Sequence, residues 1–213
     1  MLAAAVEPTI IMDVGANTGQ SVRRFKRLFP TSVIHAFEPS PVTFASLRDE
    51  ATRHENVVAN QMAVGNQIDP RLLYENEDSF MSSLLTQGAE CWGSITRTIE
   101  VPMITIDRYC ELHSIPRVTL LKTDTQGFDL EVIKGCRSII EAGRLEMVLS
   151  EVNFADLYQG GAEPEDVFRW LRQHGMKVVA IYEQYFLHGY LGWMDVLFRN
   201  ARLPVNPRVP SLQ

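Results

Sequence analysis

Two stretches of the chain bring together side chains that could bind a nucleoside. The first, Ile11-Met12-Asp13-Val14-Gly15-Ala16-Asn17-Thr18-Gly19, sets an acid and two glycines at the end of an apolar run over residues 9–14. Small residues there let a ligand approach the backbone, and Asn17 tolerates the left-handed conformation that glycine otherwise supplies. The pattern is G-x-N-x-G, not the G-x-G-x-x-G of dinucleotide sites. No Lys-Ser/Thr pair follows Gly19, which excludes a phosphate-cradling loop. The second is Glu38, 19 residues after Gly19 at the end of the next apolar run. An acid at that place accepts hydrogen bonds from both ribose hydroxyls; the plainer alternative is a surface acid before Pro39. Together the turn and the acid point to a nucleoside. Because no pyrophosphate cradle is visible, S-adenosyl-L-methionine, leaving as S-adenosylhomocysteine, is preferred to NAD. Asp13 either meets the ligand's ammonium or braces the turn.

Further acids fall at the ends of later apolar runs. Asp124 ends the run at 118–123, and Glu151 and Asn153 end the run at 145–152. Adjacent parallel strands would set the three side by side. If a methyl donor bound there and the acceptor were a hydroxyl, the transfer would need an in-line approach and a group that takes the hydroxyl proton. The expectation is Asp124 or Glu151 as base and Asn153 as a positioning donor, the alternative being that Asp124 caps the following turn. The same oxygens resemble a magnesium site, but the reading adopted is metal-free. His188 is a second candidate base. Tyr185 and Tyr190, in the aromatic stretch 182–193, offer faces to a sugar or planar acceptor or simply pack; the loop 154–161 is a second acceptor wall. Lys122, a charge inside an apolar run, is expected to meet a carboxylate at the strand end. His35 reads as a core histidine, and His54, His113 and His174 as surface residues.

These residues need a scaffold that brings strand ends to one edge. Strands are expected over 9–14, 32–37, 57–64, 118–123 and 145–152, and helices over 20–29, 41–53, 106–113, 129–140 and from Pro164 to Gly175. Continuous apolar strands alternating with helices imply an α/β fold with a parallel sheet covered on both faces. Residues 71–105 interrupt the rhythm with an inserted antiparallel pair, 71–74 with 95–101. The last two strands, 176–182 and 194–199, are joined too closely for a crossover helix, so the final strand runs antiparallel.

With 213 residues, 46% hydrophobic and 22% charged, the expectation is one domain over 1–213, with a core at about 9–199 and a proline-containing tail at 200–213. A net charge of −6 argues against a nucleic-acid or anionic-membrane partner and disfavours anionic substrates. The basic cluster Arg23-Arg24-Phe25-Lys26-Arg27 reads as the solvated face of an amphipathic helix. Cys91, Cys110 and Cys136 have no metal-ligand spacing and read as small buried hydrophobes in a reducing compartment. The apolar start, 1–6, is too short for a signal peptide or a membrane span, so a cytoplasmic protein is expected. Nothing in the sequence sets an oligomeric state.

Three blocks make the chain recognisable: Ile11 to Gly19, His35-Ala36-Phe37-Glu38-Pro39, and Leu121-Lys122-Thr123-Asp124-Thr125-Gln126-Gly127-Phe128-Asp129-Leu130-Glu131-Val132-Ile133-Lys134-Gly135. They closely resemble the FkbM family of S-adenosylmethionine-dependent methyltransferases. The resemblance extends through 57–64, Ser82-Ser83-Leu84 and Leu149-Ser150-Glu151, and the third block is the most family-specific. It implies a Rossmann-like class I methyltransferase fold, a seven-stranded sheet with its last strand reversed, and O-methylation of a sugar, glycan or polyketide-type hydroxyl. It implies cofactor contacts at Asp13, Gly15, Asn17, Gly19 and Glu38, and at Met62 and Ala63 beside the adenine. Ser82 and Ser83 lie near the adenosine or cap a turn. Many relatives carry an extension before the first strand, and almost nothing precedes it here. An NAD-linked oxidoreductase and a non-catalytic cofactor-binding module are the competing readings.

Overall fold

The computed structural model describes residues 7–204. The apolar start at 1–6, Pro207 and Pro210 lie outside the described residues. In chain order the elements begin β1 (Ile10–Val14), α1 (Gln20–Leu28), β2 (Val33–Phe37), α2 (Pro41–Ala51), β3 (Val57–Asn60), β4 (Ala63–Val64), β5 (Arg71–Asn76), β6 (Ile95–Val101) and β7 (Met103–Ile104). They continue with α3 (Ile106–Leu112), β8 (Val118–Thr123), α4 (Asp129–Lys134), α5 (Arg137–Glu141), β9 (Leu145–Asn153), α6 (Pro164–Gln173), β10 (Met176–Leu187) and β11 (Tyr190–Asn200).

Seven strands form one sheet in the order β10-β11-β9-β8-β1-β2-β3. The pairs from β9 through β3 are parallel, and β11 runs antiparallel to both neighbours. Successive side chains leave a strand on opposite faces, so Ile11 and Leu120 pack into one hydrophobic cluster and Met12 and Leu121 into the other. The first cluster is closed by Val22 and Phe25 of α1 and Leu47 of α2. The second receives α3 to α6 through Tyr109, Ile133, Ile140 and Leu171. Each fully buried Leu or Ile side chain contributes about 1.5–3 kcal/mol. Among the described residues no helix is long and apolar enough to cross a membrane.

The structure departs from the sequence reading in several places. The run 57–64 is not one strand. Asn60 donates from Nδ2 to the carbonyl of Ala36 (3.2 Å) and accepts from the Tyr109 hydroxyl (3.2 Å), and the chain then leaves the sheet. Ala63 and Val64 pair with Met103 and Ile104 in a separate ribbon. The helix expected over 129–140 is two, broken at Gly135-Cys136, where the chain touches the ribbon: a Cβ on Gly135 would lie 2.1 Å from the carbonyl oxygen of Gly65. The aromatic connection at 182–193 is itself strand. β10 and β11 extend to a two-residue turn, His188-Gly189, with both φ positive (51° and 86°), the signature of a tight hairpin. Cys110 and Cys136 are buried, but Cys91 is only half-buried. His174 is not a surface residue: it is half-buried, with its ring stacked 3.7 Å from that of Trp170. Leu28, in the last turn of α1, is exposed.

The contact at Gly135 yields a test. Gly135→Ala overpacks a backbone-to-backbone junction, a change that costs about 1–3 kcal/mol. At about 2–4 °C per kcal/mol for a chain of this size, the melting temperature falls by several degrees in a thermal scan, while an alanine at Gly160, which has open space around it, stays folded near the parent temperature apart from its backbone strain.

Candidate functional site

A cavity of about 700 Å³ opens at the C-terminal ends of β1, β2, β8 and β9 and is walled further by the turn Ser79–Met81 and the β10–β11 hairpin. Its floor is the turn after β1. Gly15 (φ 77°) and Asn17 (φ 46°) both hold left-handed backbone, and the amides of Gly15 and Ala16 donate to the carbonyl of Phe37 (3.1 and 3.0 Å). Gly15 is constrained by space as well: a Cβ would stand 1.9 Å from the carbonyl oxygen of Asp124. At Gly15 the turn after β1 therefore lies directly against the backbone at the end of β8.

Glu38 is 7% exposed on the cavity wall. Its Oε2 accepts from the amide of Asn17 and its Oε1 from the amide of Ser40, both at 2.9 Å. Burial pushes its carboxyl above the usual range, and these two amide hydrogen bonds pull the other way. Beside it, Asn17 donates from Nδ2 to the carbonyl of Ser79 (3.2 Å), fastening the turn to the inserted segment. Met62, Ala63 and Ser83 also line the cavity. The Ser83 hydroxyl donates to the carbonyl of Gln126 (2.7 Å), distant in sequence, and accepts from the amide of Leu85 two residues on (3.0 Å).

Lys122 ties the two halves of the site together. Its ammonium lies 3.4 Å from Asp13 Oδ1 and 3.3 Å from Asp124 Oδ2 and donates to the carbonyl of Gly15 (3.2 Å). Burial alone would lower its proton affinity, but Asp124 and Asp13 reverse this and hold it above its ordinary value. Asp13 is completely buried and accepts from the hydroxyl of Ser21, bracing the turn from below.

At the other end, Asp124, Glu151 and Asp195 line the same cavity. Asp195 stands directly opposite Glu151 in the antiparallel pairing of β11 with β9. Burial, then the neighbouring Asp124, Asp129 and Asp195, push Glu151 well above the usual carboxylate range. Burial and Asp124 push Asp195 up to about 6. Asp129, in the first turn of α4, is pushed to about 6 by burial and Asp124 while accepting from the amide of Thr125 (3.1 Å). Asn153 donates from Nδ2 to Glu151 Oε1 (3.3 Å). Among the described residues no group of three His, Cys, Asp or Glu side chains is arranged to hold a metal ion.

Of the residues singled out from sequence, the structure brings Gly15, Asn17, Glu38, Met62, Ala63, Ser83, Asp124, Glu151 and Tyr185 to one cavity. Asp13, Gly19 and Asn153 sit behind it as supports: Gly19 caps α1, its carbonyl accepting from Arg23. His188 and Tyr190 do not reach the cavity lining. The hairpin is longer than expected, so His188 occupies its tip and Tyr190 is 79% exposed just beyond. Asp195 and Trp193 were not singled out. The signal for Asp195 was present, a charge inside the run Met194-Asp195-Val196-Leu197-Phe198, of the same kind as Lys122. Trp92, which also lines the cavity, lies in the inserted loop, where nothing local marks it.

The methyltransferase FkbM domain matches residues 13–178. The 31-O-demethyl-FK506 methyltransferase FkbM of Streptomyces tacrolimicus is 27% identical over 197 residues, covering 80% of this chain and 74% of that protein. The 2-O-methyltransferase NoeI of Sinorhizobium fredii is 25% identical over 205 residues, covering 91% of this chain and 80% of that one. Among solved structures, a fibrillarin pre-rRNA processing protein of Methanococcus jannaschii superposes with a TM-score of 0.54 at 13% identity, covering 94% of this chain and 69% of the other, a likeness of fold alone. With the reversed last strand, the glycine turn and the acid after β2 all in place, the chain belongs to the FkbM family of S-adenosylmethionine-dependent methyltransferases.

Proposed function

We propose that this chain methylates a hydroxyl oxygen of a sugar, glycan or polyketide-type small molecule and releases S-adenosylhomocysteine. The observation that carries the reading is the buried carboxylate of Glu38 on the cavity wall. Each of its oxygens takes one backbone N–H, which uses two of about four lone-pair sites. The Thr43 hydroxyl is a further donor to this carboxyl, and the lone-pair capacity left on the two oxygens suits the donors of a ribose diol. A buried acceptor without such donors is unfavourable, so Glu38 favours a diol over an apolar occupant. Met62 and Ala63 would flank the adenine, and Gly15 and Asn17 would let the amino-acid end lie against the backbone. S-adenosylmethionine supplies, when bound, a methyl group on a positively charged sulfur.

The chain's own residues orient the acceptor and take its proton. The Lys122 ammonium, 3.3 Å from Asp124 Oδ2, orients this carboxylate, whose oxygens accept a hydrogen bond from the acceptor hydroxyl. Glu151, its proton affinity raised by burial and the neighbouring acids, takes the proton at a carboxylate oxygen, and Asn153 holds that carboxylate through Oε1. The names of the two O-methyltransferase relatives support an oxygen acceptor. The net charge of −6 supports a small-molecule or glycan acceptor over nucleic acid, and the absence of a G-x-G-x-x-G cradle supports this cofactor over NAD.

Isothermal titration separates the readings. S-adenosylhomocysteine binds at micromolar level and NAD does not; Glu38→Gln weakens the former by about 10–100-fold, the loss expected for hydrogen bonds to a charged group. Binding of NAD alone would overturn the assignment. Asp124→Asn and Glu151→Gln each lower turnover by about 100-fold or more while leaving S-adenosylhomocysteine affinity within a few-fold; full turnover in both removes the general-base role. Because Glu151 must be ionised to accept the proton, the rate rises with pH through an acid limb above the ordinary carboxylate value of about 4.3. That limb is absent in Glu151→Gln, and a pH–rate profile of parent and variant reads it directly.

A further inference from the structure

The acceptor end of the cavity pairs an aromatic stack with a surplus of carboxylates, and this bears on what it can receive. On β11, Trp193 and Asp195 are two residues apart and so share a face; both line the cavity. The ring of Tyr185 stacks on Trp193 (centroids 5.2 Å, 15°), and Trp92 lies beyond it (6.0 Å, 34°). Four carboxyl groups, Asp124, Glu151, Glu183 and Asp195, line the same end. Among the described lining residues the cations are Lys122 and Arg24, and each is already in an ion pair, Lys122 with Asp13 and Asp124 and Arg24 with Glu183 (3.4 Å).

We propose that the acceptor is a polyhydroxylated ring carrying no anionic group, neutral or amine-bearing, that lies against Tyr185, Trp193 and Trp92 and is held by the carboxyl groups of Glu151 and Asp195, with Asp195 the residue that rejects anionic rings. The inference rests on the methyl-transfer reading above and narrows its acceptor. An aromatic face suits the C–H face of a sugar ring, while carboxylates accept hydrogen bonds from hydroxyl or ammonium donors and repel a carboxylate or phosphate. An anionic acceptor would find no uncommitted cation in this wall. Two unit charges about 6 Å apart at an effective dielectric near 20 repel enough for at least about a tenfold loss of affinity.

The test uses the full chain saturated with S-adenosylhomocysteine, with tryptophan fluorescence reporting ring binding and methyl transfer measured separately with S-adenosylmethionine. The probes are methyl β-glycosides in matched sets from the gluco and galacto series: the hexose, the 2-amino-2-deoxy hexose and the uronate. In at least one series the neutral or amino sugar changes the fluorescence, and the uronate binds at least about tenfold more weakly. Asp195→Asn shrinks that gap to within about threefold. Tyr185→Ala and Trp92→Ala, both at partly exposed side chains, weaken the neutral and amino sugars by about tenfold. A uronate that binds as well as its parent sugar, a gap that Asp195→Asn leaves unchanged, or no response from either series overturns the proposal. S-adenosylhomocysteine binding in the same samples reports on the methyl-transfer reading separately, so the failure of one is not mistaken for failure of the other.

Discussion

A single buried ammonium holds the site in its working shape. Lys122 sits mid-sheet among apolar neighbours, where an uncompensated charge would be prohibitive. It is tolerated because three oxygens from two neighbouring segments converge on it: Asp13 and the Gly15 carbonyl from β1 and its turn, and Asp124 from the end of β8. The same cation therefore fixes both the glycine turn after β1 and the acid at the end of β8. Lys122 and Asp13 are also direct partners in the parallel register, so the pair helps to define that register. Were either carboxylate lost, the other would be left to balance the lysine alone, in surroundings where partial compensation is worth little.

The acids around the cavity show how local surroundings separate chemically identical groups. Glu38 is desolvated but held by two amides, a fixed acceptor. Asp124 is bound to a cation. Glu151 and Asp195 face one another across β9 and β11; the Asn153 amide on the first and the more distant Lys122 on the second do not offset burial and the neighbouring acids, and both are driven toward the protonated form. Outside the cavity, Glu50 is enclosed by Arg23, Arg53 and His54; burial pushes its carboxyl up, but these partners outweigh it and hold the group below its ordinary value. In the proposed reading one functional group thus serves as diol acceptor, oriented anion, proton acceptor and structural counter-ion, according to what surrounds it.

The parts of this arrangement that could be read from the sequence are those encoded within a few residues. The glycine turn, Glu38 and the strand-end acids Asp124 and Glu151 each sit where an apolar run stops, and the alternation of runs and helices fixes which edge they share. Lys122 was legible for the same reason, a charge where periodicity demands an apolar side chain. What escaped depends on distant partners. Residues 57–64 read as one strand because Val57-Val58-Ala59 and Met62-Ala63-Val64 flank only two polar residues; the break at those two follows from Asn60 meeting Tyr109 and Ala36, far away in sequence. Residues 129–140 keep a helical period straight through Gly135, and only the close approach of Gly65 divides them. His188 and Tyr190 were placed near the acceptor because aromatic side chains between two strands look like a loop. The tight turn they form carries them past the sheet edge.

The ribbon of β4 and β7 is a hem between two regions of unequal freedom. Ala63, on the cavity wall, lies in this ribbon and not in the main sheet, and the inserted hairpin β5–β6 rises from the ribbon's two free ends. Residues 79–83 are tied to the loops after β1 and β8 through Asn17 and Gln126, but the outer loop that carries Trp92 can change composition while Ala63 keeps its ribbon pairing. A lineage could in this way exchange one acceptor for another while the nucleoside half of the enzyme stays as it is.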